Sequence, residues 1–242
     1  ISHEFRTPLT VIVGQIEMLL QVQSFPPAIY NKLLNVYKNG LQLRGLISEL
    51  LDFRKQEQGH MKIKVSRHNL VDFLYENYLL YIEYASTRHI KFYFNKDQDQ
   101  LEVWYDSRQM QKVINNLLSN AFKYTPEKGS ISINISKRGE EAIIEVQDSG
   151  KGIKPEEAGK IFERFYQTSN DPENTQGTGI GLALSKGIVE LHKGRIEVSS
   201  NQTSGTTFTI ALKLGNAHFT AEQIETEEPK EEEAAVIVES KF

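Results

Sequence analysis

Apolar residues recur at three- and four-residue steps in the first quarter of the chain. They do so within Leu9–Leu20 and again within Leu33–Leu51, and the prolines of Ser24–Pro27 separate the two runs. This spacing predicts two amphipathic helices joined as a hairpin, the second ending near Gly59. Two helices cannot bury such broad apolar faces by themselves, so we expect a second copy to complete a four-helix bundle. The residues expected in its core are Leu9, Ile12, Ile16, Leu19, Leu43, Ile47 and Leu50.

Beyond about His60 the pattern changes to short runs in which apolar and polar residues alternate, with helical stretches between them. Alternation of period two is typical of strands with one buried face. The predicted strands are Ile63–Ser66, Ile90–Phe94, Leu101–Tyr105, Ser130–Ser136, Ala142–Gln147, Gly194–Ser199 and Thr206–Leu214. The predicted helices are Leu70–Ser86, Ser107–Lys123, Pro155–Phe162 and Ile180–Leu191. The fold class is therefore α+β, in which a helical hairpin precedes an α/β sandwich with helices on one sheet face.

Composition narrows the function classes. The chain has 242 residues, 25% of them charged, a formal net charge of −4 and no cysteine. The absence of cysteine excludes disulfides and thiolate metal sites, and it allows a reducing, cytoplasmic compartment. No apolar run is long enough to span a membrane. The negative charge is concentrated after Glu222, which leaves a nearly neutral body without the basic surface that nucleic-acid binding needs.

The first candidate site is Ile-Ser-His-Glu-Phe-Arg-Thr-Pro, at the start of the first helix. His3 and Thr7 are four residues apart and share a helix face, and Glu4 lies about 100° around from His3. An imidazole is a nucleophile when one nitrogen carries no proton, and a neighbouring carboxylate can take the proton from the other. For this motif taken alone, an ordinary surface histidine near a helix start is the more common explanation. Pro8 predicts a local kink.

The second candidate site lies on the helix predicted at Ser107–Lys123. Asn116 and Asn120 share one face, and Lys123 follows about a turn later. Amide oxygens suit Mg²⁺, and a lysine suits phosphate. A solvated polar face opposite an apolar stripe remains the alternative.

Two glycine-containing segments form a third candidate site. Asp148 ends a predicted strand and is followed by Gly150 and Gly152, which permit a turn and the close approach of a flat ring. In Gly177–Gly181, every second residue is a glycine, and a predicted helix follows directly. The free N–H groups at a helix start favour phosphate. An ordinary turn and a flexible hinge are the alternatives. The segment Tyr166–Gly179 shows no apolar period and is expected to be a lid.

The order of these motifs is more informative than any one of them. His-Glu-x-x-Thr-Pro is followed by Asn-x-x-x-Asn-Ala-x-Lys-Tyr-Thr and Asp-x-Gly-x-Gly-Ile, then by Ile-Phe-Glu-Arg-Phe-Tyr, the glycine loop and Gly-Thr-Thr-Phe. This order closely resembles the dimerisation and catalytic core of bacterial sensor histidine kinases over about residues 1–214. The resemblance implies an ATP-binding domain of the histidine kinase and Hsp90-like type.

The resemblance also implies roles for individual residues. His3 matches the phospho-accepting histidine, Glu4 its general base, and Thr7 the residue that aligns water in dephosphorylation of a partner. Asn120 and Asn116 match the Mg²⁺ ligands, and Asp148 matches the residue that reads adenine. The other residues that match ATP-binding positions are Lys123, Tyr124, Gly150, Gly152, Phe162, Phe165, Gly177, Thr178, Gly179, Gly181, Leu182 and Thr206. Gln167 departs from the family, since many relatives have arginine there.

The implied organisation has three parts. Residues 1–59 form the dimerising phosphotransfer hairpin, residues 60–215 bind ATP, and residues 216–242 are an acidic linker whose apolar run Ala235–Val238 resembles the first strand of a receiver domain. The implied activity is autophosphorylation of His3 and transfer to an aspartate of a response regulator or fused receiver domain, with phosphatase activity towards that partner. The implied location is the cytoplasmic side of a longer inner-membrane protein.

Two other classes compete with this interpretation. A scaffold that has lost its chemistry would keep the fold, yet every residue expected for catalysis is present. A chaperone or mismatch-repair ATPase would share the nucleotide-binding fold, but it would lack the His box on a dimerising hairpin in residues 1–59.

Overall fold

The computed structural model describes residues 2–21, 25–167, 178–201 and 205–225. Contacts divide the chain into two units, one ending at Met61 and the other beginning at Lys62. The expected start of a receiver domain at Ala235–Val238 lies outside the described residues.

The first unit is a helical hairpin. Helix α1 spans Ser2–Leu20 and continues through Pro8, and α2 spans Pro27–Glu57 with proline at its start. Proline is well tolerated at a first helical position because its missing N–H would have no partner there. Leu9, Val13 and Leu41 form the buried centre of the hairpin. Large apolar side chains remain exposed on both helices, among them Ile12 at 52% and Leu43 at 49%.

The second unit contains two sheets. Strands β1 (Ser66–Asn69) and β3 (Glu102–Tyr105) pair antiparallel. The other five strands form one sheet in the order β2-β4-β5-β7-β6, in which β2 runs parallel to β4 and the other neighbours are antiparallel. Their bounds are β2 Lys91–Lys96, β4 Ser130–Arg138, β5 Glu141–Asp148, β6 Arg195–Asn201 and β7 Gly205–Lys213.

Helices complete the second unit. They are α3 (Leu70–Thr87), α4 (Ser107–Tyr124), α5 (Pro155–Ala158) and α6 (Gly181–Leu191). The apolar face of α4 is fully buried through Val113, Ile114, Leu117 and Leu118. Burying four such side chains is worth roughly 1.5–3 kcal/mol each, which fixes α4 and leaves its polar face as the exposed surface.

Two predicted elements were wrong in their bounds. The strand expected at Ile63–Ser66 forms instead at Ser66–Asn69, and Val65 makes only an isolated bridge to Ile224. The helix expected at Pro155–Phe162 ends at Ala158, before Gly159. Gly159 is a poor helix former, and turns replace the helix over the following residues. The mixed sheet and the N-terminal helices agree with the predicted fold class.

Candidate active site

Helix α4 has a side-chain cap at its start and a partly exposed polar face. The Asp106 side chain caps the helix by accepting a hydrogen bond from the Gln109 N–H at 3.0 Å. This satisfies one of the N–H groups that a helix start leaves without an internal partner. Asn116, Asn120 and Lys123 are partly exposed on the opposite side from the buried stripe. Asn116 Nδ2 donates to Ser185 Oγ on α6 at 2.9 Å, so the two helices are joined at the site.

The start of α6 closely approaches the Asn116 side chain of α4 at Gly181. A Cβ built on Gly181 would lie 2.5 Å from Asn116 Oδ1. The amide oxygen of Asn116 therefore faces the first turn of α6, where backbone N–H groups and the helix dipole favour negative charge. The Asn116 amide oxygen, which can act as a metal ligand, therefore lies beside a helix N-terminus, a feature that favours phosphate.

The amide oxygens of Asn116 and Asn120 on α4 are suitable ligands for a cation that also binds phosphate oxygens. Mg²⁺ accepts amide oxygens and usually completes its shell with waters and phosphate oxygens. Within the part of the chain that the structure describes, no group of three histidine or acidic side chains is placed to hold a metal. Asn116 and Asn120 present amide groups of the type that can contribute to such a shell.

Asp148 lies at the end of β5 and is 5% exposed. Its Oδ1 accepts the Gly150 N–H at 2.7 Å, and the N–H of Thr206 on β7 also donates to the carboxylate. Burial raises the pKa of Asp148 above that of an ordinary aspartate, while these two N–H donors act in the opposite direction. A buried carboxylate held by backbone N–H groups has a fixed orientation, and its remaining lone pairs suit a ligand amine.

Neighbouring residues shape the surroundings of Asp148. A Cβ on Gly150 would lie 2.5 Å from the Tyr124 carbonyl oxygen, so the end of α4 and the end of β5 meet there. Gly152 has φ +68°, a conformation that glycine adopts readily. Thr206 Oγ1 lies 3.1 Å from Ser200 Oγ, which also accepts the Ile153 N–H at 2.7 Å. The end of α4, the helix that carries Asn116 and Asn120, thus meets the end of β5 beside Asp148.

Two lysines border this site. Lys123 Nζ and Lys151 Nζ lie 5.2 and 5.3 Å from the centre of the Tyr124 ring. A lysine ammonium over a tyrosine ring is attracted by the electrons of the ring face. Two positive charges therefore lie close to the Tyr124 ring.

The residue directly before the predicted lid, Phe165, is hydrogen-bonded to the last residue of the lid, Gly179. The Phe165 N–H donates to the Gly179 carbonyl at 2.9 Å, and both residues have positive φ, +59° and +67°. A Cβ on Gly179 would lie 2.6–3.0 Å from the Phe165 backbone, so this closure requires glycine. Phe162 stands edge-on to Phe208 of β7, with ring centres 6.3 Å apart. Residues 168–177, which include Gly177 and most of the predicted lid, lie outside the described residues.

The His box lies in the first turns of α1. His3 and Glu4 belong to the helix backbone, but their side chains are outside the described part of the chain. Thr7 is exposed at the next turn. The His box and the Asp148 site belong to different units of the structure.

Three residues of the site were not recognised from the sequence. Ser185 holds Asn116, Lys151 borders Tyr124, and Ser200 bridges Ile153 and Thr206. Lys151 stands between the two glycines after Asp148, so its position in the motif was the one available signal. The two serines act through contacts between distant segments, and no local spacing indicates them.

A buried histidine connects the start of α4 to the end of α6. His192 is 1% exposed, its Nε2 accepts the Asp106 N–H at 3.0 Å, and its Nδ1 lies 2.7 Å from the Ile188 carbonyl oxygen. These contacts define a neutral ring with the proton on Nδ1. Burial lowers the pKa of His192 below 6.5, the ordinary value for histidine.

We therefore expect the free energy of unfolding to fall as the pH drops below about 6.5. In that range the unfolded chain binds a proton that the folded chain resists, so acid favours unfolding. Urea unfolding at pH 7.5 and 5.5, followed by the fluorescence of the single tryptophan, Trp104, measures this slope. His192→Gln should flatten the slope, although His68 and His218, whose pKa values are also lowered, keep part of it. The exposed control His89→Gln should leave it unchanged, and an equal slope in the His192 variant would contradict the assignment.

Comparison with known proteins follows the same two units. Residues 1–59 match the family described as "His Kinase A (phospho-acceptor) domain". Residues 105–216 match "Histidine kinase-, DNA gyrase B-, and HSP90-like ATPase". A hairpin of the first kind followed by an ATPase domain of the second defines the sensor histidine kinase class.

Individual relatives agree with this class. Histidine kinase P4 of Formosa agariphila is 39% identical over 93% of this chain. The solved catalytic domain of histidine kinase ThkA is 31% identical, covers 63% of this chain and 97% of its own, and has a TM-score of 0.57. Histidine kinase ThkA in complex with the response regulator protein TrrA is 27% identical with a TM-score of 0.62, over 88% of this chain and 59% of that one. The chain belongs to the bacterial sensor histidine kinase family, and it spans 17% of the length of histidine kinase P4.

Proposed function

We propose that the chain transfers the γ-phosphoryl group of ATP to His3 and then to an aspartate of a response regulator or receiver domain. The observation that carries this proposal is the buried Asp148 carboxylate, held by Gly150 and Thr206 where β5 meets the end of α4, in a chain that also carries the His box. Family membership and the relative that was solved with a response regulator support the same reaction and partner.

The nucleotide would lie across the site with its two ends on different elements. Asp148 accepts a hydrogen bond from the adenine amine, and Gly150, Gly152 and Thr206 shape the surroundings of the ring. The phosphates lie against Lys123, Tyr124 and the start of α6, where helix N–H groups stabilise negative charge. The glycine loop and the start of α6 would cover the phosphates through Gly177, Thr178, Gly179, Gly181 and Leu182. Phe162 and Phe165 would lie beside the lid.

Mg²⁺ bound to Asn120 and Asn116 would neutralise charge on the phosphates. The chain's own contribution is the orientation of those two oxygens. Asn116 is fixed by its hydrogen bond to Ser185, and the absence of a side chain at Gly181 leaves room for its oxygen.

In the first transfer, a ring nitrogen of His3 attacks the γ-phosphorus of ATP. The bond between that phosphorus and the oxygen of ADP breaks as the new bond forms. Glu4 takes the proton from the second ring nitrogen, so the phosphorylated imidazole is left without a positive charge. The phosphoryl group then passes from His3 to the carboxylate of the partner. Thr7 would align a water molecule when the partner is dephosphorylated.

The proposed assembly is a homodimer at the cytoplasmic side of the membrane. Exposed apolar residues on both hairpin helices support a second copy. Among the described residues, no helix is both long and apolar enough to cross a membrane. Use of ATP favours the cytoplasm, and we place the full-length protein in the bacterial inner membrane.

Asp148→Asn should weaken binding of a non-hydrolysable ATP analogue by about ten- to a hundred-fold. The replacement removes a charged acceptor from a buried polar contact, a loss worth roughly 1–3 kcal/mol. Thermal unfolding should change little, because burial already disfavours the Asp148 carboxylate. Calorimetric titration measures the affinity, and Asp99→Asn, at a 94% exposed carboxylate, is the matched control. Unchanged affinity in the Asp148 variant would place adenine elsewhere.

A further inference from the structure

The residues that join the two units are held by a segment from the far end of the chain. After β7 the chain turns back, and Ile224 forms a parallel bridge with Val65. The Val65 N–H donates to the Gln223 carbonyl at 2.7 Å, and the Glu225 N–H donates to the Val65 carbonyl at 2.8 Å. Both backbone groups of Val65 are therefore paired with this segment. We call Phe219–Glu225 the clamp.

Apolar packing reinforces these hydrogen bonds. Ile63, Val65 and Phe219 form a small buried cluster, and Trp104, Leu191 and Ile224 pack around it. Ile63 is 2% exposed and Val65 is not exposed at all. Residues with so little exposure immediately after a domain connection are unusual, because connecting segments normally run over the surface with few contacts.

Lys64 adds two contacts of its own. Its Nζ donates to the Glu222 carbonyl at 2.8 Å, on the clamp. Its N–H donates to Asp106 Oδ2 at 3.0 Å, and the other oxygen of Asp106 caps α4, the helix that carries Asn116 and Asn120. Lys64 and Asp106 thus join the connection between the units to the clamp and to the start of α4.

We propose that the clamp is a positioning element for phosphoryl transfer: it holds Ile63–Val65 on the ATP-binding domain and so restricts the positions from which that domain approaches His3. This inference rests on the proposed function. With the clamp in place, Lys62 is the only residue between Met61, where the first unit ends, and the fixed residues Ile63–Val65.

Release of the clamp removes both backbone hydrogen bonds of Val65 and the contact of Lys64 Nζ, so Lys62–Val65 becomes a longer tether held by the bond between the Lys64 N–H and Asp106. The effective concentration of one tethered group near another falls with about the −3/2 power of tether length, and loss of orientation lowers it further. Because the tether is longer and less well oriented, we expect the rate constant of autophosphorylation to fall about five- to ten-fold. The affinity for ATP should stay within about two-fold, because no clamp residue lies in the proposed nucleotide site.

Ile224→Asp tests this expectation in the full chain, since a carboxylate would be placed against the apolar cluster of Ile63, Val65 and Phe219. Glu225→Pro is the milder second variant, because it removes one N–H donor and no apolar contact. Glu222→Gln is the matched control, since Lys64 binds the backbone carbonyl of Glu222 and not its side chain. The readouts are hydrogen exchange at Val65, the KM for ATP and the rate constant of autophosphorylation.

The proposal predicts faster exchange at Val65, a lower rate constant and an unchanged KM in both test variants, with none of these changes in the control. Faster exchange at Val65 with an unchanged rate constant would overturn it, as would an equal loss in the control. A parallel rise in KM would show a general loss of the ATP-binding domain and would also overturn it. Failure of the proposed function is recognised separately, because the unaltered chain would then show no autophosphorylation.

Discussion

His3→Gln should abolish labelling of the chain by ATP radiolabelled in the γ-phosphoryl group, and it should leave nucleotide binding intact. Glutamine has no ring nitrogen to attack phosphorus, so the proposed phosphoryl acceptor is lost completely. The proposed nucleotide site consists of Asp148 and residues of α4, which belong to the unit that begins at Lys62. Filter-bound radioactivity measures labelling, and calorimetry with a non-hydrolysable analogue measures binding.

His60→Gln is the matched control for this experiment. His60 is an exposed histidine after the end of α2, and nothing in the His box motif involves it. The control should be labelled as strongly as the unaltered chain. Undiminished label in the His3 variant, or loss of label in the control, would refute the assignment of the phosphoryl acceptor.

Leu43→Asp should convert a dimer into a monomer and remove most autophosphorylation. Leu43 is half-exposed in the single chain, whose own hairpin core consists of Leu9, Val13 and Leu41. A two-fold axis would bury the new carboxylate twice, once from each copy. Each unpaired buried charge costs on the order of several kcal/mol, and every 1.4 kcal/mol lowers the association constant about ten-fold. Sedimentation measures the mass, and radiolabelling measures the activity.

Gln42→Asp is the control for this variant, because Gln42 is exposed and adjacent but lies outside the predicted bundle core. It should remain dimeric and active. A chain that sediments as a monomer at micromolar concentration before any substitution, with full activity, would contradict the dimer.

Sequence periodicity predicted most of the secondary structure because burial follows a simple period in helices and strands. The strand predicted at Ala142–Gln147 forms within β5, and the helix predicted at Ser107–Lys123 forms as α4. The error at Ile63–Ser66 has a specific cause. Ile63 and Val65 alternate with lysines and are buried, as a strand would be, but their partner is the clamp. A pattern of burial does not reveal which segment provides the cover.

The hairpin shows a similar limit. Of the residues expected in the shared core, Leu9 is buried within one chain, whereas Ile12, Leu19, Leu43 and Leu50 are exposed by 42–52%. The period identifies an apolar face, and it does not distinguish contacts inside one hairpin from contacts between two copies. Those four residues therefore remain a prediction that depends on the second chain.

The candidate site was predictable where its chemistry is local. Asp148 ends β5, and Gly150, two residues later, donates its N–H to the Asp148 carboxylate. Asn116 was identified on its helix face, but its hydrogen bond to Ser185 joins segments that are distant in sequence. Contacts of that kind arise from the packing of α4 against α6, and the sequence of either helix alone contains no sign of them.

The most direct test of the account is the chemical nature and position of the bound phosphoryl group. The unaltered chain is incubated with Mg²⁺ and ATP radiolabelled in the γ-phosphoryl group, and the label is tested in acid and in base before the labelled peptide is mapped. The account predicts a label that is lost in acid, survives in base and lies in the peptide that contains His3. A label that survives acid, or one that maps to a peptide of the ATP-binding domain, would contradict it.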